Sequence, residues 1–230
     1  MPPLAEQGII YKFGPGGSWD GSYIGNPLKG SISGTTFNVW SSSGMSTKVL
    51  LYKQTEKGAR CSIQRLKCTF SLDTFPDTSY YTAILTIATD TAMETDPLDW
   101  HSFHGSILVY PDGKLALFNV GGFSTKTSNS ISAGTSYDLE LLYFDDPYHI
   151  NGYWQIWIDG DLWLEFSGPG MLPFTHYSEL IIGFPGGSGG PGNVAPPAFN
   201  ITLTFSDVIW TIEELPKSRW TMMAPRIVLL

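Results

Sequence analysis

The chain is poor in the residues that build metal clusters, disulfide frameworks and charge-driven surfaces. Only two cysteines occur in 230 residues, Cys61 and Cys68 in CSIQRLKC. No CxxC and no Cys/His ligand spacing is present, which excludes a zinc ribbon or a thioredoxin-like redox site. On one straight strand the two sulfurs would sit roughly 23 Å apart, beyond disulfide reach. IQRL is a poor turn, so two free thiols on strands are expected. Charged residues make up 15% of the chain and the net charge is −8. That balance argues against tracking nucleic-acid phosphates and against docking on an anionic membrane. No run of about 18 apolar residues occurs, so no membrane span or insertion is expected.

Other absences narrow the choice further. The opening MPPLAEQGIIYKFG has no basic region and no long apolar stretch, so it does not read as a Sec-type signal peptide. The expected location is a virion surface, or the outside of the cell after release by another route. The Gly-rich stretch FGPGGSWDGSYIGNPLKG lacks GK[ST] and opens no helix, which excludes a phosphate loop. Helical periodicity is missing throughout, and so is any repeat of fixed period.

Aromatic and turn-forming residues are abundant. The chain is 14% aromatic and carries 25 Gly and 16 Pro, beside a hydrophobic content of 42%. That composition points to many short strands joined by tight turns. The clearest stretch is 137–166, YDLELLYFDDPYHINGYWQIWIDGDLWLEF. Trp154, Ile156 and Ile158 alternate with Gln155 and Trp157, so the two sets face opposite ways. Trp154 is expected inside and Trp157 outside. Asp159-Gly160 between apolar runs is a hairpin signal.

Further strands are expected at 8–13, 35–40, 48–53 and 59–72, the last a long strand or a bent pair. More follow at 80–89, 106–110, 114–118, 179–184, 199–205 and 208–212. In the 80–89 strand, Tyr81, Ala83, Leu85, Ile87 and Thr89 are expected to share a face. This pattern predicts an all-β fold, a two-sheet antiparallel β-sandwich, over residues 1–214. Residues 215–230 form a separate tail. All 21 acidic residues precede Leu215, so the body carries −11 and the tail +3. A cationic tail bearing Trp220, Met222, Met223, Ile227, Val228 and Leu229 is expected to dock on the body or on a neighbouring copy in an oligomer or larger assembly.

Several pieces of the second half resemble the concanavalin A-like jelly-roll superfamily, especially its laminin G-like branch. They are the PDGKLAL hairpin, the 131–143 strand, the 151–160 hairpin with WQIWIDG, the ELIIG strand and TFSDVIW at 204–210. These are turns and core residues. The resemblance implies a jelly-roll sandwich that binds glycans or protein surfaces on one sheet or at its end loops, with calcium in some members.

Chemistry has three candidate sites. Asp138 and Glu140 lie two apart on one strand, and paired carboxylates on one face are what retaining glycosidases use. The sandwich-fold hydrolases of the superfamily carry an E-x-D-x-E strand. Here the order is D-x-E and the third position is Leu142, so no residue is assigned as catalytic and these two stand as candidates. The long loop 90–105 holds Asp96, Asp99, Trp100, His101 and His104, which suit ligand binding or a metal. Asp145, Asp146, Asn151, Asp159 and Asp161 offer hard oxygens of the kind calcium takes, although they are also turn formers. Trp100, His101, His104, Tyr148, Tyr153 and Trp157 are the expected ligand-binding residues. No cofactor is required, calcium being the one metal with candidate ligands in Asp145, Asp146 and Asn151. The main expectation is a non-enzymatic recognition module, such as a phage decoration, fibre or adhesin protein. The alternatives are a glycan-active enzyme (polysaccharide lyase or glycoside hydrolase) on the same fold and a soluble lectin.

Overall fold

A computed structural model describes residues 9–25, 30–40, 49–55, 62–75, 81–89, 103–119, 122–145, 151–169, 178–185 and 200–214. All regular structure among them is strand. In chain order the strands are β1 (Ile9–Phe13), β2 (Gly21–Ile24), β3 (Gly30–Ser33), β4 (Thr36–Trp40), β5 (Val49–Thr55), β6 (Ser62–Leu72), β7 (Thr82–Thr89) and β8 (Phe103–Val109). They continue with β9 (Leu115–Asn119), β10 (Gly122–Phe123), β11 (Ser136–Asp145), β12 (Asn151–Ile158), β13 (Asp161–Pro169), β14 (Ser178–Phe184) and β15 (Asn200–Glu214).

They form two antiparallel sheets. The first runs β13-β12-β11-β6-β15-β4-β3, with β1 also paired to β15. The second runs β10-β9-β8-β7-β14-β5-β2. The inward residues of both sheets make one core, led by Trp154, Trp210, Tyr143, Phe37, Phe70, Phe184 and Phe205, all nearly fully buried. This is the expected all-β jelly-roll sandwich.

The 137–166 stretch supplies three consecutive strands, β11 to β13, at one edge of the first sheet. Its alternation reads as expected: Trp154, Ile156 and Ile158 are buried, and Gln155 and Trp157 are half-buried on the other side. Asp159 and Gly160 both take positive φ, 51° and 85°. That is the two-residue turn whose twist matches flanking strands. Trp154 stacks on Tyr143 with centroids 4.1 Å apart. It reaches the second sheet at Gly105, where an added Cβ would lie 2.7 Å from its ring. Position 105 is therefore a glycine for close packing between the sheets. Cys68 is a free thiol buried in β6, and burial raises its pKa further from the reactive range. Cys61 lies outside the described residues.

Several expectations need correction. In place of the two strands expected at 199–205 and 208–212 there is one, β15 (Asn200–Glu214), and Phe199 lies outside the described residues. Ser206 pairs with Thr69 and Ile209 with Lys67, so the strand carries a bulge between them, and Asp207 takes φ 52°. A bulge adds a residue without ending the strand. The same effect splits the face expected for β7. Its register shifts between Ala83 and Leu85, so Leu85 and Ile87 enter the main core while Ala83 joins Leu108 and Phe118 on the other side. β2, β3 and β10 were not expected, because they are short and poor in apolar residues. His104 belongs to β8 rather than to a loop, at a second register shift. The tail 215–230 lies outside the described residues.

Candidate functional site

The two outer faces of the sandwich differ. On the second sheet the outward positions Leu50, Ile181, Leu108, Thr86, Ser106 and Glu179 are buried. The first sheet instead presents an open polar face. Strand register sets its rows. One row runs Ile209–Lys67–Glu140–Trp157, and the next Thr211–Arg65–Leu142–Gln155–Glu165.

Glu140 is the centre of the charge pattern. Its Oε1 lies 3.1 Å from an Arg65 guanidinium nitrogen and its Oε2 2.9 Å from Lys67 Nζ. The two cations come from alternate positions of β6 and so share its outer side. Asp138 accepts a hydrogen bond from the Thr69 hydroxyl at 2.8 Å. Its own backbone N–H donates to Asp159 Oδ1 at 2.8 Å, which ties the start of β11 to the β12–β13 turn. Along β12, Trp157 Nε1 donates to Gln155 Oε1 at 3.1 Å. Gln155 Nε2 donates in turn to Tyr153 Oη at 3.1 Å and to Glu165 at 3.2 Å. These bonds fix the amide orientation and hold the Tyr153 phenol in place.

A shallow groove of about 560 Å³ runs over this face, lined by Lys67, Thr69, Asp138, Glu140, Trp157, Gly160, Asp207 and Ile209. It brings together Asp138, Glu140 and Trp157 of the expected residues, while Tyr153, two same-face positions before Trp157 on β12, is not among its lining residues. The cations Arg65 and Lys67 were not among the expected residues. Their only sequence signal is alternation, which any solvated strand face would show.

The other candidates are placed differently. Asp145 and Asn151 lie where β11 passes into β12, and Asp159 and Asp161 flank the far end of β12. Eight residues of strand separate the ends by roughly 23 Å, so Asp159 and Asp161 do not converge with Asp145 and Asn151. Among the described residues no group of three or more His, Cys, Asp or Glu could hold a metal ion. Trp100, His101, Asp146 and Tyr148 lie outside the described residues.

No family model matches the sequence, nor does any curated protein. Solved structures do match in fold. An endo-β-1,4-glucuronan lyase from the fungus Trichoderma reesei aligns with a TM-score of 0.60 at 14% identity, over 90% of this chain and 96% of that one. An alginate lyase in complex with alginate tetrasaccharide aligns with a TM-score of 0.55 at 13% identity, over 90% and 98%. A trisaccharide complex of an alginate lyase aligns at 0.51. At these identities the likeness is one of fold: a two-sheet β-sandwich jelly roll. The expectation of a non-enzymatic virion module is corrected here. The proteins sharing this architecture over nearly their whole length are polysaccharide-cleaving enzymes, which favours the glycan-active alternative. Physically, the open face carries paired cations, carboxylates and a held phenol, where a passive recognition surface needs only contact area.

Proposed function

We propose that the chain is a polysaccharide lyase acting on a uronate-containing glycan along the open face of the first sheet. The observation that carries this reading is the Arg65–Glu140–Lys67 cluster, of which Glu140 and Lys67 line the groove together with Trp157. β-Elimination makes three demands. The uronate carboxylate must be neutralised so that the adjacent carbon gives up its proton. A base must take that proton, and an acid must return one to the departing glycosidic oxygen. Arg65 and Lys67 supply the neutralising charge, and Glu140 holds both in position until a substrate carboxylate shares them. Tyr153, fixed by Gln155, is the proton carrier nearest this cluster along β12. Trp157 offers an aromatic face for a sugar ring.

Hydrolysis by Asp138 and Glu140 is the weaker reading. A glycosidase acid must present a free carboxyl to the leaving oxygen, whereas Glu140 has each oxygen on a cation. The laminin G-like resemblance rests on turns and core residues and adds nothing about chemistry.

The test is a panel of polyuronates and neutral polysaccharides, followed by ultraviolet absorbance of the unsaturated product and by reducing ends. Rising absorbance with a polyuronate is the expected result. Lys67→Met should lower that rate about 100-fold or more, and Tyr153→Phe about 100-fold. Reducing ends without absorbance would mean hydrolysis. No cleavage of any polyuronate would overturn the proposal.

A further inference from the structure

A second depression of about 290 Å³ adjoins the groove, lined by Phe13, Gly14, Trp19, Thr35, Ser206 and Asp207 among others. We propose that it is the end subsite of the glycan path, and that it takes a neutral sugar through its hydroxyls. This rests on the glycan-cleaving reading above and adds the substrate class, a mixed glycan of uronate and neutral sugar.

Three observations support it. First, Asp207 lines both hollows. The β15 bulge turns Val208 into the core, 5% exposed, and leaves Asp207 exposed in the left-handed region. Aspartate is among the few non-glycine residues that adopt that conformation. The Asp207 carboxylate has no hydrogen-bond or ion-pair partner among the described residues. From β12 across β11, β6 and β15 to β1 the path spans four strand spacings, roughly 19 Å, the length of a short oligosaccharide.

Second, the floor of the depression is kept bare. Residues 14–17 form a tight turn closed by Gly17 N–H donating to Gly14 O at 2.9 Å. Gly16 takes φ +78° after Pro15, as the third residue of a type II turn requires. Gly14 has no such requirement. Its φ is not positive, and an added Cβ would meet nothing within 4 Å. Neither backbone nor packing asks for glycine there. A bare backbone is what close approach of a ligand needs.

Third, the chemistry differs from that of the groove. Among the described residues no cation lines the depression. Lys53 lies under the Phe13 ring, its ammonium bonded to Asp20. Asp207 would repel a uronate carboxylate and accept bonds from sugar hydroxyls. Trp19, set edge-on to Phe13 at 4.9 Å, is the aromatic wall.

The test is NMR titration of the whole chain with neutral gluco-oligosaccharides and with oligouronates of two to six rings, following the Trp19 and Trp157 indoles and the Gly14 and Gly16 amides. Neutral oligomers should move Trp19 and Gly14. Uronate disaccharide should move Trp157 alone. Gly14→Leu should weaken the neutral oligomer about tenfold and leave the disaccharide unaffected. Asp207→Asn tolerates the same backbone and should let a uronate hexamer reach Trp19. Unmoved Trp19 and Gly14 signals with every oligomer would overturn the subsite, as would a Gly14→Leu protein that binds neutral oligomers as the parent does. These signals report binding without turnover, so an uncleaved panel would overturn the lyase reading and leave this one to its own result.

Discussion

The outer faces of the two sheets are built on opposite logics. The second sheet's face is closed: Leu50, Ile181 and Leu108 are fully buried there, and the Glu179 carboxylate is buried with them. The first sheet's face is open and carries the Arg65–Glu140–Lys67 cluster at positions where solvent shares the work. Burial makes the closed face essential to folding and indifferent to chemistry. Exposure makes the open face cheap to alter in stability and costly to alter in function.

The largest effect should come from charging the closed face. Ile181→Asp places an unpaired carboxylate among Leu50 and Tyr52 and should cost more than about 4 kcal/mol. Urea unfolding of any soluble fraction measures it. A protein as stable as the parent would show that the face is not closed at all.

Glu179 gives a smaller and pH-dependent effect. Burial raises its pKa to about 7, Asp20 adds to the rise, and the Gln54 hydrogen bond opposes it. Oε1 accepts from Gln54 at 3.1 Å, while Oε2 has no partner. The folded chain thus holds a proton that the unfolded chain loses near pH 4.3. Stability is full below that value, falls as pH rises to about 7, and is level above it. Glu179→Gln should remove this decline and gain on the order of 2 kcal/mol at pH 8 relative to the parent. Melting curves between pH 4 and 8 that run parallel for both proteins would show that Glu179 does not titrate in this window.

The smallest effect on stability belongs to the open face. Arg65→Gln with Lys67→Gln removes two partly exposed ion pairs and should change unfolding free energy by about 1 kcal/mol or less. The same double variant should have no measurable lyase activity. A large loss of stability would mean that the charge cluster is a structural clamp.

Much of the sandwich was legible because period-two alternation and turn chemistry are local. Trp154 against Trp157 and the Asp159-Gly160 hairpin are set by neighbours two residues away. The bulges at residues 84 and 207 were not, because a bulge is a mismatch between two strands, and nothing in SDV or AIL announces the partner. The site was half legible for the same reason. Asp138 and Glu140 stood out as a pair on one strand. Arg65 and Lys67 gained meaning only when register set them against Glu140. Asp145, Asn151, Asp159 and Asp161 read as one oxygen-rich group in sequence, but the length of β12 sets the last two apart from the first two.

The last two described strands, β14 and β15, are each inserted into the middle of a sheet. β14 lies between β7 and β5, and β15 between β6 and the pair β4 and β1. Neither sheet can be completed by zipping up neighbours as they emerge. Strands made early must wait, with their inner edges unpaired, for partners 89 (Thr89 to Ser178) to 204 (Ile9 to Glu213) residues later. Such long-range closure places the chain among slow folders, in the millisecond-to-second range. During biosynthesis, its greatest exposure to aggregation falls in the interval before β14 and β15 arrive.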